Sequence, residues 1–303
     1  MKFTLDIPLG VIVPGQFQSL EAIREMTGAL ESAHVDACYV TDHPAPSAEW
    51  LQNGGLGHDA LDPFSALSFV AASSTELMLH TNIVVLPYRN PFLTAKAAAT
   101  LQVLSGGRLI LGTAPGYQKG EFEELGVDFH TRGKLMDEAL DTIRLAWAGG
   151  VVEKEGINFN ARGNEPRPAP SPTPPIWIGG ASEAAIKRAA RAGDGWCPFF
   201  SDPRASAINQ KNAVQSIEHL SETVARISEL RSQQGRTGPF DVAIGPRARL
   251  KYGKPGGADA FLEELEQLTL AGATWLMVEP PHPSRQGYIE NVQWFGEEVI
   301  GKF

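Results

Sequence analysis

Cysteine is nearly absent from this chain: Cys38 and Cys197 are the two in 303 residues. Both fall in apolar, strand-like runs, so they read as small buried hydrophobes, neither a disulfide framework nor a metal set. A reducing compartment fits that usage. Positive charge is the second deficit. Lys and Arg number 26 against 35 Asp and Glu, a formal charge of −9, which argues against nucleic acid or an anionic membrane surface as the main partner, since both reward cationic excess. Local basic patches remain compatible with that balance. Long apolar runs are missing as well, because nothing reaches the roughly 20 residues that span a bilayer. The opening MKFTLDIPLGVIVPG is interrupted by Pro8, Gly10 and Pro14 and carries Asp6, which breaks the core a signal peptide needs. A soluble, cytoplasmic protein is the expectation.

Several motifs are missing too. There is neither a G-x-x-x-x-G-K-[ST] loop nor a G-x-G-x-x-G opening a helix, which disfavours ATP and a Rossmann-bound nicotinamide. His34, His43, His58, His80, His130, His219 and His282 are scattered, with no H-x-H and no H-E-x-x-H, so no metal site is expected. His219 reads as a mid-helix residue on a solvated face.

What the chain does have is alternation. Apolar, β-branched runs near 3–13, 36–41, 77–86, 108–113, 175–179, 195–199, 240–250 and 274–279 are separated by helical spacing near 18–34, 62–75, 91–105, 131–148, 182–192, 209–234, 257–271 and 286–300. Eight of each in strict order predict a closed (β/α)8 TIM barrel, because parallel strands need crossover helices and eight of them close. A doubly wound open sheet is the alternative. Residues 150–162 read as an added hairpin. They lead into six prolines between Glu165 and Trp177, an extended connection because proline fixes φ and lacks the amide. The whole of 1–303 is read as one barrel domain with this insertion near 150–175.

In such a barrel, ligands gather in the loops that follow strands. DACYVTDHP, residues 36–44, is a strand running out into Asp42 and His43. His43 is suited to general acid–base work, since its ordinary pKa lies near neutrality. Neighbouring side chains on an extended backbone diverge, so a shared contact with one flat ligand is preferred over an Asp–His dyad. A helix-capping Asp beside a surface His is the other reading. In IWIGGASEAAIKRAARAGDGW, Gly179 and Gly180 allow close backbone approach, and the amides of Gly180, Ala181 and Ser182 would face an anion at a helix start. A phosphate seat and an ordinary tight turn both fit that spacing. In RLILGTAPGYQKGEFEELG, the small residues Gly112, Ala114 and Gly116 make room for a ring system or merely allow the turn. Tyr117 offers a phenol or simple packing.

Y-V-T-D-H at 39–43, T-N-I-V-V-L-P-Y-R-N-P at 81–91, L-S-G-G-R-L-I-L-G-T-A-P-G-Y at 104–117, and P-P-I-W-I-G-G-A-S with A-G-D-G-W within 174–196 together resemble the bacterial luciferase-like superfamily. The resemblance is closest to its coenzyme F420-dependent oxidoreductase branch, dense over the first two-thirds of the chain and a matter of pattern beyond. It implies a (β/α)8 barrel with insertions, often a homodimer. It matches His43 to an active-site histidine near the reactive deazaflavin carbon and Asp42 to an acid that contacts the cofactor. It sets Asn82-Ile83 at a bulge with a non-proline cis peptide, and Gly179, Gly180 and Ala181 at backbone positions that receive the cofactor phosphate. Where sugar-phosphate dehydrogenases of that branch carry a glutamate after the glycine turn of strand four, this chain has Tyr117, which puts sugar-phosphate oxidation in doubt. Tyr88, Tyr117, Trp196 and Phe199 would suit a flat or apolar organic substrate. The implied function is hydride transfer between coenzyme F420 and a small organic substrate. The alternatives are an FMN-dependent monooxygenase using reduced flavin and O2, and a non-catalytic flavin- or deazaflavin-binding protein.

Overall fold

A computed structural model describes residues 1–52, 59–202 and 210–303. His58 and the first residue of the helix expected from 209 lie outside the described residues. Eleven strands are described: β1 Lys2–Asp6, β2 Ala37–Val40, β3 Met78–Thr81, β4 Val84–Val85, β5 Leu109–Ala114, β6 Val152–Glu155, β7 Asn160–Asn164, β8 Ile176–Gly179, β9 Gly195–Cys197, β10 Asp241–Ile244 and β11 Trp275–Val278. The helices are α1 Leu20–Ser32, α2 Ala48–Gln52, α3 Pro63–Ser73, α4 Pro91–Leu104, α5 Lys119–Glu124, α6 Arg132–Trp147, α7 Glu183–Ala192, α8 Ile217–Gln233, α9 Asp259–Leu270 and α10 Arg285–Glu298.

Parallel pairing runs β3-β2-β1-β11-β10-β9-β8-β5, and a β3–β5 pairing closes the ring. The eight-strand barrel expected from the alternation is therefore the fold. Helix starts follow from capping: Ser19, Asp62, Asn90, Ser182, Ser216 and Ser284 each accept an amide two or three residues on, and Pro63 and Pro91 supply the fixed φ of a first turn. His219 sits in the first turn of α8, partly buried, not mid-helix as its surroundings in sequence implied.

Several strands are shorter than expected, for local reasons. The first stops at Asp6 because Pro8 has no amide to continue the ladder, and the seventh stops at Ile244 before Gly245-Pro246. The third is split. β3 and β4 flank Asn82-Ile83, which is a cis peptide, and both halves pair with β5, Leu79 opposite Leu109 and Val84 opposite Thr113. Thr81 Oγ1 donates to Gly112 O at 2.8 Å and Thr113 Oγ1 to Val84 O at 2.9 Å, one on each side of the break.

Side chains alternate between two cores, as a pleated strand requires. Ala37, Ile110, Trp177, Cys197, Ala243 and Trp275 fill the barrel, while Leu5, Cys38, Leu79, Leu111 and Ile178 pack outward against the helices. His80 lies inside, edge-on to Trp177 at 4.8 Å, and burial pushes its imidazole down to about 3, so it is neutral near pH 7. Both cysteines are buried and free. The antiparallel pair β6–β7 projects between α6 and β8. The proline run behind it is pinned to the barrel wall by Gln102, whose amide donates to Pro172 O at 2.9 Å while its carbonyl accepts from Leu109 N. Among the described residues, no helix is long and apolar enough to cross a membrane.

Close packing inside the barrel generates a pair of opposite stability effects. A Cβ at Gly112 would lie 2.1 Å from Thr81 O, a backbone atom at the end of β3, whereas one at Gly28 in α1 would meet nothing within 4 Å. Gly112→Ala is expected to destabilise by about 1–3 kcal/mol through overpacking. Gly28→Ala is expected to stabilise by about 0.5–1 kcal/mol through helix propensity. Urea unfolding checks both signs, and an unchanged midpoint for Gly112→Ala would mean that the Thr81 carbonyl can move aside.

Candidate active site

Strand ends of the barrel surround a cleft of about 640 Å3, within the range of small-molecule sites. Of the residues singled out in the sequence, Asp42, His43, Asn82, Ile83, Ala114, Tyr117, Gly179 and Gly180 line it together. Gly112 does not: it lies one layer down, packed on His80 and Thr81. Ala181 does not line it either, and its amide donates to Asn212 O at 2.8 Å. Of the expected aromatic set, Phe199 and Tyr117 face the cleft. Trp196 is buried in the outer core and donates to Gly180 O at 2.7 Å, fixing the glycine turn from behind. Tyr88 packs on Phe122 and donates to a carboxylate.

That carboxylate is Glu121, on the short helix α5. It is 1% exposed and accepts from Tyr88 OH at 2.9 Å and from Ala45 N at 3.3 Å, with His43 Nδ1 3.4 Å from Oε2. Gln118 Nε2 is 3.0 Å from the same His43 nitrogen. Among the described residues, Trp50 of α2 at 5.3 Å and Tyr117 edge-on at 6.2 Å flank the imidazole. Glu121, Gln118 and Trp50 went unseen in the sequence because each lies in or beside a helix of five or six residues, too short for a period to register. Glu-rich spacing after the strand-four glycines was the one available sign of the carboxylate.

Asp42 faces the other way from His43. One oxygen accepts from Val85 N at 3.0 Å, and the other meets Arg89 at 2.8 Å, which continues to Asp62 at 3.2 Å. Burial pushes the Asp42 carboxyl up, and Arg89 with the Val85 amide opposes it without cancelling it. The acid therefore ties the segment after Ile83 to the end of β2, forming the cleft wall.

At the far end, Gly180 has φ +87°, and Ser182 caps α7, so a helix N-terminus opens onto the cleft. A Cβ at Gly179 would stand 3.3 Å from Ala114 Cβ and 3.5 Å from Ile83 Cδ1, which keeps the floor between the two ends low and flat. Arg132 lies on the Phe129 ring at 3.8 Å and donates to Phe129 O at 2.8 Å; among the described residues no carboxylate pairs with it. Arg188 is held by Asp137 at 2.7 and 3.0 Å. A histidine backed by a carboxylate, a floor of small residues and a cationic far end fit a flat redox ring that carries a phosphate. Among the described residues, no group of three or more His, Cys, Asp or Glu could hold a metal ion.

The chain is similar to known proteins in sequence and in fold. An uncharacterized protein of Mycobacterium tuberculosis H37Rv is 29% identical over 255 residues, covering 81% of this chain and 80% of its own. The F420-dependent glucose-6-phosphate dehydrogenase of Mycobacterium avium strain 104 is 32% identical over 193 residues, 60% of this chain and 53% of the enzyme. In fold, the crystal structure of a monooxygenase from Streptomyces bottropensis aligns with a TM-score of 0.76 at 17% identity, covering 100% of this chain and 99% of that one. The family model for luciferase-like monooxygenase matches residues 4–251, and the chain belongs to that family.

Proposed function

We propose that the cleft binds coenzyme F420 and that the protein transfers a hydride between it and a small organic substrate, with His43 exchanging the proton. The observation that carries this reading is the pairing of His43 with a buried carboxylate at one end of a cleft whose other end is a helix N-terminus beside Arg132. Preference for the deazaflavin over FMN rests on the T-D-H-P end of β2 and on the F420-dependent enzyme that is 32% identical.

Gly180, Ser182 and Arg132 would hold the phosphate, and Ala114, Gly179 and Ile83 would floor the ring system. When bound, the deazaflavin supplies the carbon that carries the hydride. The chain supplies the rest. Glu121 and Gln118 both reach Nδ1 of His43, the carboxylate as an acceptor when that nitrogen carries a proton and the amide as a donor when it does not. The carboxylate stabilises the imidazolium whenever His43 holds the proton, and Trp50 and Tyr117 restrict its ring to one orientation.

Fluorescence titration with each cofactor tests the assignment. Coenzyme F420 is expected to bind in the micromolar range, about −8 kcal/mol; binding of FMN with no binding of F420 would replace hydride transfer with flavin chemistry. A second prediction concerns the proton. His43→Ala should lower turnover about 100-fold, and Glu121→Gln about 10-fold because the ring remains but is less well aimed, with F420 affinity nearly constant in both. Full turnover in His43→Ala would remove the imidazole from the reaction.

A further inference from the structure

Beyond Asn82 and Phe199, on the side away from the glycine turn, a second cavity of about 670 Å3 opens at the ends of β1, β2 and β11. It meets the first cleft at Thr41, Asn82 and Phe199, which line both. Its chemistry is different. The wall carries Asp6, Asp59 and Glu279 and, among the described residues, no Lys or Arg. Leu9, Ala66 and Phe199 make the remainder largely apolar.

Strand geometry aims the polar groups inward. Asp6 and Tyr39 alternate with Leu5, Cys38 and Val40, which belong to the outer core. Asp6 is paired beside Tyr39 across β1–β2, and the β1–β11 register of Leu5 with Val278 brings Glu279 next to Asp6. Tyr39 is only 8% exposed. Among the described residues nothing hydrogen-bonds its hydroxyl or the Asp6 carboxylate, and both face the cavity, where a ligand can reach them. Burial and then Glu279 push the Asp6 carboxyl up to about 8, and no cation opposes them. His282, the other titratable side chain on this wall, has Nδ1 3.1 Å from Pro280 O.

We propose that this cavity is the substrate site and that it takes a substrate bearing a protonated amine on an apolar body, with the ammonium group held by Asp6, Glu279 and the Tyr39 hydroxyl. The assignment of this cavity to substrate, rather than to some other ligand, rests on the neighbouring cleft being the cofactor site. An ammonium group has three donors and a positive charge, which matches three acceptors of which two are acidic. A carboxylate-bearing or phosphate-bearing substrate would meet Glu279 and an Asp6 carboxyl that no cation offsets, and a neutral alcohol, unlike an ammonium group, would do nothing to favour ionisation of Asp6.

Calorimetric titration of the full chain with benzylammonium, benzyl alcohol and benzoate at pH 7.5 separates these cases, because the three share one ring and differ at the polar end. The expected result is an amine affinity about 10-fold above that of the alcohol, as for a charge-assisted hydrogen bond, and no binding of benzoate. Asp6→Asn and Tyr39→Phe should each weaken the amine, Asp6→Asn by about 10-fold. Glu279→Gln gives the same readout from an exposed residue, should Asp6→Asn fail to fold. Equal affinities for amine and alcohol, or an amine affinity untouched in both carboxamide variants, would overturn the proposal. The titration needs no cofactor, so it fails or succeeds separately from F420 binding: amine selectivity without F420 binding leaves the cation site standing and removes only the cofactor reading.

Discussion

A single carboxylate that water barely reaches holds the candidate site together. Taking a charge out of water costs several kcal/mol unless its oxygens are met by donors. Glu121 is met by the Tyr88 hydroxyl, the Ala45 amide and the edge of His43. Those groups come from the segments after β4 and β2, while Glu121 itself follows β5. Three loops that share no sequence neighbourhood are thereby held in one arrangement, and any loosening exposes the cost of an unpaired buried charge. The contact that closes this side of the barrel mouth is also the one that aims the imidazole. Cohesion and the proposed proton chemistry depend on the same atoms.

Asp42 and His43 divide the remaining work because adjacent side chains on an extended backbone point apart. Asp42 turns into the wall and spends both oxygens on Val85 and Arg89. His43 turns to the cleft and to Glu121. The split strand matters here, because it delivers the Val85 amide to Asp42 just after Ile83 has entered the floor. The wall and the floor are thus built from one interruption in β-pairing, clasped on either side by the hydroxyls of Thr81 and Thr113.

The parts of this design that were legible in the sequence are those with local or periodic causes. Alternating apolar runs and helical spacing gave the barrel, because each element's period is fixed by backbone geometry. Strand ends gave Asp42, His43, Ala114, Tyr117, Gly179 and Gly180, since topology alone carries them to one rim. The family resemblance placed the break at Asn82-Ile83, which no propensity marks. What escaped was set by distant partners. Glu121 and Trp50 belong to single-turn helices, Arg89 finds Asp42 across 47 residues, and the amide of Ala181 is taken by Asn212. Trp196 looked like a wall of the site but points outward, because Gly195 and Cys197 occupy the inward positions of a three-residue strand. One residue of register decides which face a side chain joins.

The rim also has a direction. At the α7 end, the helix N-terminus contributes about half a positive charge, and Arg132 adds a full one without a carboxylate partner among the described residues. Arg188 adds little, since Asp137 meets it bidentately. At the other end stand Glu121, Asp6 and Glu279, so a ligand that is anionic at one end and neutral at the other is oriented before it makes contact. Low-dielectric walls focus such a field. Reversed entry would place an anion against the buried Glu121 carboxylate, and that repulsion opposes the wrong orientation. A chain with a formal charge of −9 is thus compatible with the proposed anionic cofactor, because the sign at the α7 end is set by a helix terminus and an arginine that has no carboxylate partner among the described residues, not by the total.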